Sequence, residues 1–133
     1  MTITQLAKLW KYSGIFLVAT GIFHSVVGIA LCKDYLWAIV KDGLWDALGG
    51  DVYRELSFWF LVCGIFIIIL GHLLHVYIKK EQKPAPIVLG YYLLGLSVIG
   101  CIIEPVSGFW VFPPQAVIIL FANRSDKEIL KNS

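Results

Sequence analysis

The chain predicts an all-α, polytopic membrane protein, a bundle of four transmembrane helices with an amphipathic helix on its outer surface. Two observations carry that fold class. Residues 12–31, 57–78, 87–103 and 106–122 form four separate apolar stretches. The first two reach the roughly 20 residues needed to cross about 30 Å of hydrocarbon, and the last two sit at the lower limit of spanning length. Hydrophobic residues make up 59% of the chain and charged residues 15%, with a mean hydropathy of +0.80. An ordinary soluble domain carries about 25% charged residues, so a soluble fold of this size has too little polar surface to cover its apolar one. The whole chain, residues 1–133, reads as one transmembrane domain.

The first apolar stretch follows Lys8 and Lys11, which imitates a signal sequence. Its apolar run is about twice the length of a signal h-region and no A-x-A site follows. Leu31 stands before Cys32 where a lipoprotein signal needs a small residue, so this segment is expected to remain as a membrane helix.

Between the first two stretches lies a long connection that predicts the outer amphipathic helix over residues 35–48. Asp34 is a suitable N-cap, and Gly49 and Gly50 are suitable stops. Leu36, Ile39, Val40, Leu44 and Leu48 fall on one helical face with Asp42 and Asp46 opposite, the pattern of a surface-lying helix. Trp37 and Trp45 suit the headgroup layer.

The second stretch repeats a feature of the first. Gly14, Gly21 and Gly28, and then Ser57, Gly64 and Gly71, recur at intervals of seven residues. Such spacing keeps small side chains on one stripe, where a neighbouring helix can approach closely. The third and fourth stretches are joined through Glu104-Pro105-Val106-Ser107-Gly108, which forces an antiparallel hairpin. Pro105 ends the third helix, because the residue before a proline is pushed out of the helical region. Pro113 and Pro114 either mark the true start of the fourth helix or kink it.

Basic residues set the orientation. Lys8, Lys11, Lys79, Lys80, Lys83, Arg124, Lys127 and Lys131 gather on one side if both termini share it, leaving Lys33, Lys41 and Arg54 opposite. By the positive-inside rule both termini are cytoplasmic. The net charge of +2 gives no reason to expect a nucleic-acid partner. Cys32, Cys63 and Cys101 form no CxxC or Cys/His run, so neither a zinc module nor a disulfide framework is indicated, and no cofactor is expected. A metal site of His24, Cys63 and Cys101 would rest on similar depth alone.

Any chemistry must come from the few polar side chains at membrane depth, which are His24, His72, His75, Glu104 and Gln115. Counting from the cytoplasmic ends at 1.5 Å per residue, His24 lies about 20 Å up and Glu104 roughly 25 Å, with His72 and His75 within about 10 Å of the inner face. A haem held by His24 and His72 is therefore not expected, and the two inner histidines are expected to snorkel towards water. His24 shares a face with Gly21 and Gly28, and Glu104 with Gly100 and Cys101, so the two are expected to meet in one outward-opening polar site. Trp59, Trp110 and Gln115 belong to the same end and complete the candidate ligand-binding set. The bland alternative is that His24 bonds a neighbouring helix and Glu104 caps the hairpin near water.

Ser13-Gly14, Gly21-Ile22-Phe23-His24, Phe58-Trp59-Phe60 with Gly64 and Gly71, and Pro105-Val106-Ser107-Gly108-Phe109-Trp110 with Pro114-Gln115 together resemble a family of uncharacterised small bacterial integral membrane proteins with four helices. That resemblance covers most of the chain. It implies a bacterial inner-membrane location and supplies no catalytic residues. Two function classes follow. One is a non-catalytic membrane module that binds a lipophilic small molecule, a second copy of itself or a membrane-protein partner. The other is a small integral-membrane enzyme, of isomerase or redox type, acting on a lipid-like substrate through His24 and Glu104.

Overall fold

In a computed structural model the described residues are 9–132, with side chains described as far as residue 124. Among the described residues there are four α-helices: α1 (Ser13–Lys41), α2 (Val52–Glu81), α3 (Ile87–Ile103) and α4 (Phe112–Asn132). Single 3-10 turns, Leu9–Tyr12 and Gly108–Val111, lead into α1 and α4. Among the described residues there is no strand. The helices associate as two hairpins, α1 with α2 and α3 with α4, and α4 is the element of the second hairpin that lies along α1.

The glycine stripes account for the first hairpin. A Cβ built on Gly21 would lie 2.8 Å from the backbone nitrogen of Ile68 and 2.9 Å from the carbonyl oxygen of Gly64. One on Gly71 would lie 2.9 Å from the carbonyl oxygen of Gly14, and one on Gly28 would strike the Phe60 ring. The backbones of α1 and α2 touch where neither helix has a side chain, so close dispersion contacts hold the seam. In the second hairpin Gly90 admits Leu120, and Gly100 admits the Phe109 ring.

The outer connection differs from expectation. No separate helix occupies residues 35–48. Instead α1 runs without a break to Lys41, and a compact turn follows. Cys32, Lys33 and Asp34 are polar, but none of them breaks a helix, so the ladder continues until Gly43 takes φ +93°. There the N–H of Gly43 bonds the Val40 carbonyl and the N–H of Leu44 bonds the Ile39 carbonyl, the paired bonds of a Schellman stop. Asp51 then caps α2 by accepting from the N–H groups of Tyr53 and Arg54. The Arg54 guanidinium ties the turn down, donating to Asp42 at 2.6 Å and to the Ala47 carbonyl at 2.8 Å.

The other end of the molecule holds the core. Leu17, Leu74, Ile78, Ala85, Leu93, Phe112, Ala116 and Ile119 bury one another there, with all four helices contributing. Asn123 donates from its side chain to the Ala85 carbonyl, fixing α4 to the linker between α2 and α3. The fourth helix begins at Phe112 rather than near residue 106. Pro113 and Pro114 occupy its first turn, where the missing N–H groups have no helical partner to lose. Two helical segments, Leu9–Lys41 and Val52–Glu81, are long and apolar enough to cross a membrane, and Ile87–Ile103 is a shorter apolar helix.

Candidate functional site

No hydrogen bond or ion pair joins His24 to Glu104. The His24 imidazole stacks on Phe60 with ring centroids 4.0 Å apart and 9° between planes, and its Nε2 lies 3.1 Å from the Phe60 carbonyl oxygen. It is an α1–α2 interface residue. Glu104 is exposed at the tip of the other hairpin. The pairing of helices bears on this. Glycine stripes commit α1 to α2, and α3 packs closely with α4 and its entry turn, so the helices carrying the two groups pack chiefly with other partners. The remaining candidates also scatter. Trp59 is exposed and meets Phe58 edge to face. Trp110 donates from its indole to the Pro105 carbonyl at 2.8 Å, bracing the hairpin turn. Among the described residues no three His, Cys, Asp or Glu side chains are grouped to hold a metal ion, so His24, Cys63 and Cys101 are not gathered into one site.

Gln115 behaves differently. It is 6% exposed, and its amide donates to Thr20 Oγ1 of α1 at 2.7 Å and to the Val111 carbonyl at 3.1 Å. Thr20 spends its own proton on the Phe16 carbonyl at 2.9 Å, which leaves its lone pairs to accept from Gln115. The Thr20–Gln115 bond is thus the polar tie between the two hairpins. In an apolar surrounding such a tie is maintained because water is not there to replace it.

That tie forms part of the wall of a groove of about 430 Å³ between α1 and α4. Leu9, Phe16, Ala19 and Phe23 line it from the α1 side, and Val111, Pro114 and Ile118 from the α4 side. From Leu9 in the entry turn to Phe23 in α1 the α1-side residues follow one face over 14 steps, a length of about 21 Å. The groove is open along its side, and its lining is apolar apart from Thr20 and Gln115. Chemically it offers dispersion contact along its length and no nucleophile or acid–base pair.

Of the two inner histidines, one departs from expectation. His72 is exposed, in keeping with a snorkelling side chain, but His75 is half-buried. Its Nδ1 is enclosed without a hydrogen-bond partner, as is Ser13 Oγ. The close approach of Gly14 to the His75 backbone brings α1 over this part of α2. The sequence marked Gln115 as a polar group at membrane depth. It did not mark Thr20, since a threonine bonded to its own helix is silent in sequence, and only equal depth on two helices would have linked them.

A model for a family of unknown function, DUF6463, matches residues 8–126. No match was found among curated proteins or solved structures.

Proposed function

The chain belongs to DUF6463, a family of unknown function, and from that premise we propose that it is a non-catalytic, multi-pass protein of the bacterial inner membrane that holds a lipophilic ligand between α1 and α4. The membrane reading is supported by where the apolar surface lies. Only 17% and 22% of the two long apolar windows are buried inside the protein, whereas the core helix of a soluble domain is covered by its neighbours. Faces carrying Val26, Ile29, Phe66 and Leu73 are turned outward, and lipid is the solvent that accepts them. The 17 residues of α3 give about 25 Å, enough to span with slight local thinning. The descending limb is shared between the Gly108–Val111 turn and α4. With all four limbs spanning, the basic residues put both termini in the cytoplasm.

The groove is the single observation that carries the ligand reading. Its length of about 21 Å accommodates the acyl chain of one leaflet, which occupies half of about 30 Å. Catalysis by His24 and Glu104 has less support, because His24 is engaged by Phe60 and Glu104 is exposed with no bond to it. Native mass spectrometry of the detergent-purified protein tests the proposal. One retained lipophilic molecule per chain is expected, and Ala19→Phe, which fills the groove between Phe16 and Phe23, is expected to abolish it. Retention unaffected by Ala19→Phe would refute the groove as the site.

A further inference from the structure

We propose that the occupant of the α1–α4 groove is a long-chain lipophilic alcohol, its hydrocarbon lying along the groove and its hydroxyl proton donated to the Thr20–Gln115 tie. This rests on the groove being the ligand site and adds the polar group that the ligand carries. Thr20 and Gln115 are the polar residues of the groove lining, and their hydrogen-bonding capacity can be followed proton by proton. A glutamine amide has two N–H protons and a hydroxyl has one. Both Gln115 protons are engaged, one by Thr20 Oγ1 and one by the Val111 carbonyl, and the Thr20 proton goes to the Phe16 carbonyl. The amide cannot be turned over, because the Val111 carbonyl only accepts and so must face nitrogen. The tie therefore has no donor left.

Acceptors are left. Thr20 Oγ1 keeps a second lone pair, and Gln115 Oε1 is enclosed without a hydrogen-bond partner among the described residues. Gln115 is 6% exposed, and a buried oxygen lacking a donor is an exception in folded proteins that calls for a partner. That asymmetry selects the ligand's polar group. An ether, ester or ketone brings only acceptors and finds no donor on the wall. A carboxylate or ammonium brings a charge that the apolar lining does not offset. A hydroxyl brings one proton to a tie that only accepts, and Thr20, half-buried rather than enclosed, presents the first oxygen it reaches. The tie also sets where the hydroxyl lies. Thr20 stands eleven residues from Leu9 and three from Phe23, about 16 Å from one end of the groove and about 5 Å from the other. The alcohol lies with its hydroxyl near the Phe23 end and its chain running towards Leu9, past Phe16 and Ile118.

Delipidated protein in a non-ionic detergent tests the assignment, with tritiated 1-hexadecanol read by scintillation proximity and competed by unlabelled 1-hexadecanol or its methyl ether at equal mole fraction in the micelle. The two competitors share a chain and an oxygen and differ in the proton. The alcohol is expected to bind one per chain and roughly two- to tenfold more tightly than the ether, the effect of one hydrogen bond between uncharged groups. Thr20→Val removes one acceptor and frees a Gln115 N–H, so the ether should gain affinity and the preference should shrink. The double variant Thr20→Val/Gln115→Leu should bring the alcohol down to the ether level. Ser97→Ala, which removes a buried hydroxyl bonded within α3, should leave the preference unchanged, and Ala19→Phe should remove both molecules. Equal binding of alcohol and ether, with both lost in Ala19→Phe, would overturn the hydroxyl assignment and leave the groove as the ligand site. Alcohol binding that survives Ala19→Phe would overturn both. A Thr20→Val protein that keeps the parental preference, or a parent that does not bind the alcohol, would also overturn the assignment.

Discussion

Gly21→Ala tests the architecture at its narrowest point. The added methyl would stand 2.7 Å from Ile68 Cγ1, 2.8 Å from the Ile68 backbone nitrogen and 2.9 Å from the Gly64 carbonyl oxygen. A side chain can turn away, but backbone on the facing helix cannot. To restore ordinary contact α1 and α2 must part by about 0.6 Å, and a gap of that size forfeits a quarter to a half of each dispersion well along the seam. Overpacking of this kind costs about 1–3 kcal/mol, or roughly ten- to a hundredfold in the folding equilibrium for most of that range. Gly95→Ala is the matched control, since a Cβ there meets nothing within 4 Å, and alanine is the better helix former. Reversible unfolding in mixed micelles by dodecyl sulfate, followed by tryptophan fluorescence, reads both variants. A Gly21→Ala protein as stable as the parent, or a Gly95→Ala protein that loses as much, would refute the backbone-contact seam.

Gln115→Leu should cost about 1 kcal/mol, the net worth of a hydrogen bond between uncharged groups. A double-mutant cycle with Thr20→Val should give a coupling of about 0.5–1.5 kcal/mol, and zero coupling would remove the tie between hairpins. His24→Ala should lower stability by roughly 1–2 kcal/mol through the lost stacking and hydrogen bond, whereas Glu104→Gln at the exposed hairpin tip should stay within about 0.5 kcal/mol; equal losses in micelle unfolding would contradict their separation. Arg54→Ala should raise amide hydrogen exchange across residues 42–50 with a stability loss of roughly 0.5–1 kcal/mol, small because the pair with Asp42 is partly exposed. Unchanged exchange there would show that the turn is held without the guanidinium. Reporter fusions after Ser133 should report a cytoplasmic C-terminus, and a periplasmic one would invert the proposed orientation.

That the first two helices each carry a close-packing face was legible, because a glycine or serine every seven residues returns to one side of a helix, but which helix each stripe meets was not. The end of α3 was legible too, because Pro105 stops it. The outer helix was misread because Leu36, Ile39 and Val40 continue the same helical phase as α1. Polarity at Lys33 and Asp34 resembles a boundary, but polarity alone does not stop a helix. The direct His24–Glu104 contact is absent for a different reason. Depth along a membrane normal can be counted from sequence, whereas lateral adjacency depends on which stripes pair. The acceptor beside His24 is a backbone carbonyl, which every residue carries and no sequence pattern marks. Gln115 stood out as polar in an apolar run, yet its partner Thr20 and the groove wall of Phe16, Ala19 and Phe23 look like ordinary membrane-helix residues until α4 is laid beside them.

The most direct measurement is photocrosslinking in native membranes, with a benzophenone amino acid at Phe23 in the groove or at Ile99 on the outward face of α3. The account predicts one discrete lipid adduct at Phe23 that disappears in the Ala19→Phe background, and a broad mixture of bulk lipids at Ile99. The same mixture at both positions, indifferent to Ala19→Phe, would contradict a ligand site between α1 and α4.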